Sequence, residues 1–183
     1  MVEPSAGRLV VATHELTERT FRRAVVLLLA YDRHEGAAGV VLNRPTGVDL
    51  PDRLRRWDEL AAPPAVVFMG GPVGRDAVIG VARADSDVEV DVAGWQQVGE
   101  DLGVLDLSSD PDAADGLQAV RLFAGYVGWG EGQLEREIVS GAWFVVPATP
   151  DDPLTATPAG LWRAVLARQG GLFTTVPDDP GLN

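Results

Sequence analysis

Arg121-Leu122-Phe123-Ala124-Gly125-Tyr126-Val127-Gly128-Trp129-Gly130-Glu131-Gly132-Gln133-Leu134-Glu135-Arg136-Glu137 is the stretch on which the reading of this chain turns. Val120, Leu122 and Phe123 favour β structure and predict a strand. Gly125, Gly128, Gly130 and Gly132 follow. Glycine reaches positive φ without a Cβ clash, so a tight turn is expected there. Gln133 to Val139 then predicts a short helix, with Gly141 a suitable stop. Strand, glycine-rich turn and helix can hold an anion, because a helix N-terminus has free N–H groups. The dinucleotide fingerprint fails, since Gln133 stands where its third glycine belongs, and the phosphate-loop pattern fails because no lysine follows. Glu131, Glu135 and Glu137 further oppose an anionic ligand at this point. Two readings stay open: the glycines let Tyr126 and Trp129 pack at a tight corner, or Tyr126, Trp129, Gln133 and Glu135 form a ligand or partner surface.

The remaining composition narrows the chemistry. A length of 183 residues suggests one domain, 1–183, with a real core and with 1–6 and 177–183 irregular. The formal net charge is −12. Non-specific nucleic-acid binding needs a cationic surface that displaces counterions, so direct binding to DNA is disfavoured overall, although a local basic patch stays open. There is no cysteine, which excludes disulfides, thiol nucleophiles and cysteine metal sites. All fifteen basic residues are arginine, which removes Schiff-base chemistry. No segment approaches the roughly 18–20 apolar residues of a membrane helix, and Met1 to Ser5 has no signal-peptide character. A cytoplasmic location with no membrane association is expected.

Outward from the glycine stretch, strands are predicted over 7–13, 24–30 and 37–42, the last two as a hairpin ended by Pro45. An amphipathic helix is predicted over 50–60, with Leu50, Leu54, Trp57 and Leu60 on one side. Further strands are expected over 65–69, 78–82, 103–107 and 142–146. Asp85 to Val92 alternates acidic residues with valines and reads as a half-buried strand with a solvated acidic face. Asp110-Pro111 opens a short helix. Thr157-Pro158 opens the clearest helix, with Leu161, Trp162, Val165 and Leu166 as its apolar stripe. Many strands joined by short turns predict an α+β fold with a mixed, largely antiparallel sheet and a few flanking helices.

Candidate catalytic groups are sparse. His14 and His34 lack metal-ligand spacing, so neither a metal nor another cofactor is expected, and no serine sits in a Gly-x-Ser-x-Gly elbow. No carboxylate pair is singled out. Arg44, between Asn43 and Pro45, either clamps a carboxylate or phosphate of a ligand or pairs with a carboxylate of its own chain to fix the turn. Gly70-Gly71-Pro72 permits a sharp bend, and its close backbone approach equally suits a ligand.

Four blocks in order carry a resemblance over nearly the whole chain. They are Phe21 with Gly36-Ala37-x-Gly39-x-Val41-x-Asn43-Arg44-Pro45; Gly70-Gly71-Pro72-Val73; Gly125-Tyr126-x-Gly128-Trp129-x-x-Gly132-Gln133-Leu134-Glu135-x-Glu137 with Trp143; and Leu161-Trp162 with Pro180-x-Leu182-Asn183. This pattern resembles the YqgE/AlgH family of bacterial proteins. His14-Glu15 departs from the proline or small residue expected before Leu16. The resemblance implies a single compact α+β domain and no catalytic residue set. It brings a label of transcriptional regulator through an association with alginate production. The expectation is a non-catalytic binding or regulatory protein acting through a protein or small-molecule partner, with Asn43, Arg44, Gly70, Gly71, Tyr126, Trp129, Gln133 and Glu135 as candidate contacts. The alternatives are an Asp/Glu enzyme with Arg44 as anion clamp, or a DNA-binding regulator using Arg53, Arg55 and Arg56 with Arg19, Arg22 and Arg23.

Overall fold

The computed structural model describes residues 2–87, 89–113, 115–171 and 173. Along them run β1 (Arg8–Ala12), β2 (Val25–Asp32), β3 (Gly36–Val41), β4 (Pro45–Asp49), β5 (Val66–Met69), β6 (Val73–Ala84), β7 (Gln96–Gln97), β8 (Leu102–Leu105), β9 (Leu117–Trp129) and β10 (Trp143–Pro147). Two α-helices, α1 (Gln133–Val139) and α2 (Leu161–Gln169), and short 3₁₀ segments complete the order. The sheet order is β10-β1-β2-β3-β9-β6-β8-β7, with β5 on β9 and β4 on β5. Every pairing is antiparallel except β5 with β9. The result is an α+β fold in one compact domain.

β9 joins the two halves of this sheet. Its first part pairs with β6 on one side and β5 on the other; its last part, Val127 to Trp129, pairs with Gly39 to Ala37 of β3. This corrects the expected glycine-rich turn. Gly125 and Gly128 lie inside the strand, because β3 and β6 offer ladder partners on both sides, and only Gly130 to Gly132 turn the chain into α1.

The two-residue period of the strands sorts the core. Leu9 and Val11, Val25 and Leu27, and Val40 face Trp162, Val165 and Leu166 of α2. Their neighbours Val10, Ala12, Val26, Leu28 and Val41 pack with Trp129, Trp143 and Leu134 of α1. β2 is thus buried on both faces over Val25 to Leu28, as its unbroken apolar run predicts. Each such side chain contributes about 1.5–3 kcal/mol of burial. The Trp162 indole N–H donates to the Ala12 carbonyl at 2.8 Å, which sets α2 against β1.

Three expectations need correction. Pro45 does not end pairing; it opens β4, which pairs only with β5, and an edge strand tolerates the missing N–H. The helix expected over 50–60 is a 3₁₀ segment, Asp52–Trp57, held by i→i+3 bonds such as Leu54 N to Pro51 O at 2.7 Å. Its apolar side chains still do what their spacing predicts. Leu50, Leu54 and Trp57 pack on Ala82, Leu105, Val120 and Leu122, and the Trp57 indole donates to Leu107 O at 3.0 Å. Finally, 85–87 and 89–92 form turn and coil rather than a strand. The ladder between β6 and β9 ends at Ala84, so the acidic run has an alternating pattern but, among the described residues, no partner strand. The expected terminal irregularity over 177–183, and Pro180, Leu182 and Asn183, lie outside the described residues.

Candidate functional site

The aromatic half of the glycine stretch forms a closed corner. Trp129 is only 5% exposed. Its indole N–H donates to Glu137 Oε2 at 2.9 Å, and the Trp143 indole donates to the same oxygen at 2.8 Å. The other oxygen of Glu137 accepts from Gln133 Nε2 at 2.9 Å, while Gln133 Oε1 accepts the Gly130 backbone N–H at 3.0 Å. Trp129, Trp143 and Phe21 stack edge to face with centroids 5.8–5.9 Å apart. Between Gln133 and Glu137 on α1, Glu135 accepts the Tyr31 hydroxyl at 2.6 Å, and that bond, as its largest cause, raises the Tyr31 phenol above its ordinary range. So Gln133, Glu135 and Glu137 fasten α1 to β2, β9 and β10. Replacing Glu137 with Ala strands two indole donors, and the expected cost is about 2–4 kcal/mol in urea unfolding followed by tryptophan fluorescence. Glu137→Gln keeps an acceptor and is expected to recover at least half of that; equal losses for both variants would count against the bridging role.

The other candidate residues gather elsewhere. Asn43 Oδ1 accepts Val25 N–H at 3.0 Å and its Nδ2 donates to Arg23 O at 2.8 Å. Arg44 donates to Asn43 O at 3.2 Å and to Arg22 O. Among the described residues neither arm of Arg44 meets a carboxylate, and the turn is fixed through backbone carbonyls. Burial lowers the Arg44 pKa from its usual value. Together these two side chains tie the end of β3 to the connection between β1 and β2. Within that connection Leu16 and Phe21 turn inward to pack beside Trp143, leaving Arg19 and Arg22 exposed. Arg23 is the one non-glycine residue with positive φ among those described, at 55°. Such a conformation persists only where surrounding contacts hold it, here the Asn43 bond to its carbonyl.

That arrangement opens two adjoining hollows. One, about 520 Å³, is lined by Thr17, Arg19, Arg22, Arg23, Asn43, Arg44, Ala159, Trp162 and Arg163. The second, about 690 Å³, is lined by Arg19, Thr20, Arg44, Pro45, Met69, Gly71, Pro72 and Arg75. Arg19 and Arg44 belong to both, so the hollows form one groove. It holds six arginines, and among the described residues no aspartate or glutamate lines it. Among the described residues, the side chains of Arg19, Arg22 and Arg75 form no hydrogen bond or ion pair.

The structure therefore brings Asn43, Arg44 and Gly71 to the groove and Trp129, Gln133 and Glu135 to the closed corner. Gly70 lies at the backbone crossing between them, its N–H bonded to Ala124 O at 2.8 Å. Tyr126 pairs in register with Val73, is 40% exposed, and lines neither hollow. Arg55 is paired with Asp52 and Arg56 donates to Leu107 and Ser108 carbonyls, away from the groove lining. Arg75 and Arg163 were not singled out from sequence. The run Arg19-Thr20-Phe21-Arg22-Arg23, a basic cluster in an acidic chain, signals other arginines of the groove and not these two.

A third arginine, outside the groove, was also missed. Arg121 is 1% exposed in β9 and lies 4.3 Å over the Phe68 ring. Its guanidinium donates to the carbonyls of Ala62, Pro63, Pro153 and Thr155 at 2.5–3.1 Å. The neighbouring segment is held again by Arg168, bidentate on buried Asp152 at 2.6 and 2.7 Å, and by Arg83 on Asp151. Among the described residues no group of three metal-binding side chains is found, and no helix is long and apolar enough to cross a membrane.

Fold and groove define a compact α+β domain on a largely antiparallel sheet with an arginine-lined surface hollow. Residues 9–174 match the AlgH-like family (DUF179), and the chain belongs to that family. It is 50% identical to a UPF0301 protein of Streptomyces avermitilis, covering all of this chain and 97% of that one. Identity to a UPF0301 protein of Mycobacterium tuberculosis is 42%, over 97% and 90% of the two chains. The crystal structure of protein DIP2367 from Corynebacterium diphtheriae superposes with a TM-score of 0.89 at 28% identity, covering 96% of this chain and 92% of that one. The solution structure of the AlgH protein from Pseudomonas aeruginosa gives 0.69 at 26% identity, over all of this chain and 99% of that one.

Proposed function

We propose that this chain is a non-catalytic cytoplasmic binding protein whose ligand is anionic and docks in the groove around Arg19 and Arg44. One observation carries the reading: five arginines, Arg19, Arg22, Arg23, Arg44 and Arg75, line a single groove with no carboxylate among the described lining residues, in a chain with 27 acidic residues and only fifteen basic ones. Gathered guanidiniums repel one another, and a surface with an excess of acids could readily have supplied counter-charges. A bound anion offsets that repulsion. Such a groove also concentrates anions locally although the whole molecule repels them. Arg44 serves as the fixed wall, and Arg19 and Arg22 are the donors left to a ligand.

Calorimetric titration with inorganic pyrophosphate at low ionic strength tests this. Binding is expected, weakening as salt rises, and at least about tenfold weaker in the Arg19→Ala/Arg22→Ala double variant. Both positions are exposed, so the variant keeps its fold. Absence of binding, or binding that ignores the double variant, overturns the reading. A gel shift of duplex DNA abolished by the same variant would replace it with nucleic-acid recognition.

A further inference from the structure

The two hollows differ in chemistry, and the difference bears on what fills them. The first gathers five of the six arginines around Arg19, Arg22, Arg23 and Arg44. The second places the apolar surfaces of Pro45, Met69 and Pro72 beside Gly71, with Thr20 and Arg75 at its polar margin. A lone inorganic anion occupies the first and leaves the second unfilled. A single carboxylate balances only one of the gathered guanidiniums, whereas a di- or triphosphate presents several charges and bidentate acceptors to them. A nucleic-acid strand extends beyond the groove onto a surface whose net charge repels it. Each hollow falls in the size range of a small-ligand pocket, and both open on Arg19 and Arg44.

From this we infer that the occupant is a small organic phosphate: its di- or triphosphate lies over Arg19, Arg22, Arg23 and Arg44, and its organic body rests against Pro45, Met69 and Pro72. The inference rests on the anion-binding reading and adds the second hollow to it. Met69 closes β5 and Pro72 stands just before β6, so the strand ends of the sheet supply the organic subsite. The connection between β1 and β2 supplies most of the charged one.

The experiment compares three probes on the full chain by calorimetry at one ionic strength: inorganic pyrophosphate, adenosine 5′-triphosphate and a short prenyl diphosphate. At least one organic probe is expected to bind about tenfold or more tighter than pyrophosphate. Which of the two does so tells whether the body is planar or aliphatic. Met69→Ala is expected to reduce that preference to about threefold or less, with pyrophosphate affinity unchanged within about twofold. Pro72→Gln, at an exposed position, is a second variant expected to act in the same direction without touching the core. Pyrophosphate binding as tightly as both organic probes overturns the inference while the anion-binding reading stands. An organic preference unmoved by either variant overturns it too. No binding of any probe removes both.

Discussion

Arg121→Met is expected to destabilise the protein by about 3–5 kcal/mol: four carbonyls each lose a donor at about 1–3 kcal/mol, partly offset because a charge is no longer buried. Methionine fills much of the same space, so the loss reports the hydrogen bonds rather than a cavity. The guanidinium bonds two carbonyls of the 62–63 segment and two of the 153–155 segment, which approach β9 from separate parts of the chain. Without it these carbonyls lose their donor in a buried setting, and Phe68 loses its stacked cation. Arg121→Lys is expected to fall between, because one ammonium cannot reproduce the planar fork that reaches both segments. Thermal unfolding should shift down by roughly 6–20 °C for the methionine variant. A loss below about 1 kcal/mol would show that the segments hold themselves.

The pH dependence gives this prediction a second check. Burial lowers the Arg121 pKa from the ordinary arginine range to about 10. Between those values the unfolded chain binds more protons than the folded one, so this residue makes stability rise with pH across that window. Below it the group is charged in both states and contributes no slope. The stability difference between parent and Arg121→Met is therefore expected to be flat from about pH 6 to pH 9. A slope in that range would mean that another group titrates with the network.

How far the sequence foretold this depends on what each residue needed from the rest of the chain. Features governed by local period were legible. The apolar run of β2, the stripe on α2 and the single-sided Leu50, Leu54 and Trp57 all follow from spacing alone. Features that needed a partner were not. Whether Gly125 and Gly128 turn or extend depends on β3 and β6 lying beside them. The acidic repeat after β6 has the pattern of a strand and, among the described residues, no strand to pair with. Asn43 and Arg44 were legible as a turn, but the groove needs the 17–23 connection to meet the end of β5, and no local signal brings those together. Arg121 did carry a signal, a lone charge between Val120 and Leu122 in an apolar run. A charge on a buried strand demands partners, and here backbone carbonyls provide them.

Gly125→Ala is the other substitution with a large expected effect, and it tests what the glycines are for. Gly125 has φ 76°, and a Cβ built there would lie 2.4 Å from Gly71 O and 3.0 Å from Val73 O. The reverse contact is as close: a Cβ on Gly70 would lie 2.3 Å from Gly125 O, and one on Gly71 would lie 2.1 Å from Tyr126 O. Two backbones cross here without side chains between them. The crossing is stitched on both sides, by Gly70 N–H to Ala124 O and by Val41 N–H to Gly70 O, each 2.8 Å. Any shift that relieves a new methyl group therefore disturbs β3, β5, β6 and β9 together. Left-handed φ alone costs an L-residue about 1–2 kcal/mol. With the clash added, at least about 3 kcal/mol is expected in urea unfolding. Gly141→Ala separates the two terms, since Gly141 has φ 84° and nothing within 4 Å of an added Cβ. It should show only the conformational cost. Because Met69, Gly71 and Pro72 line the second hollow next to this crossing, Gly125→Ala is also expected to reduce the preference for the organic probe over pyrophosphate, while Gly141→Ala leaves it unchanged. Equal stability losses at the two positions would mean that the glycines serve φ alone and that the backbone crossing has room to yield.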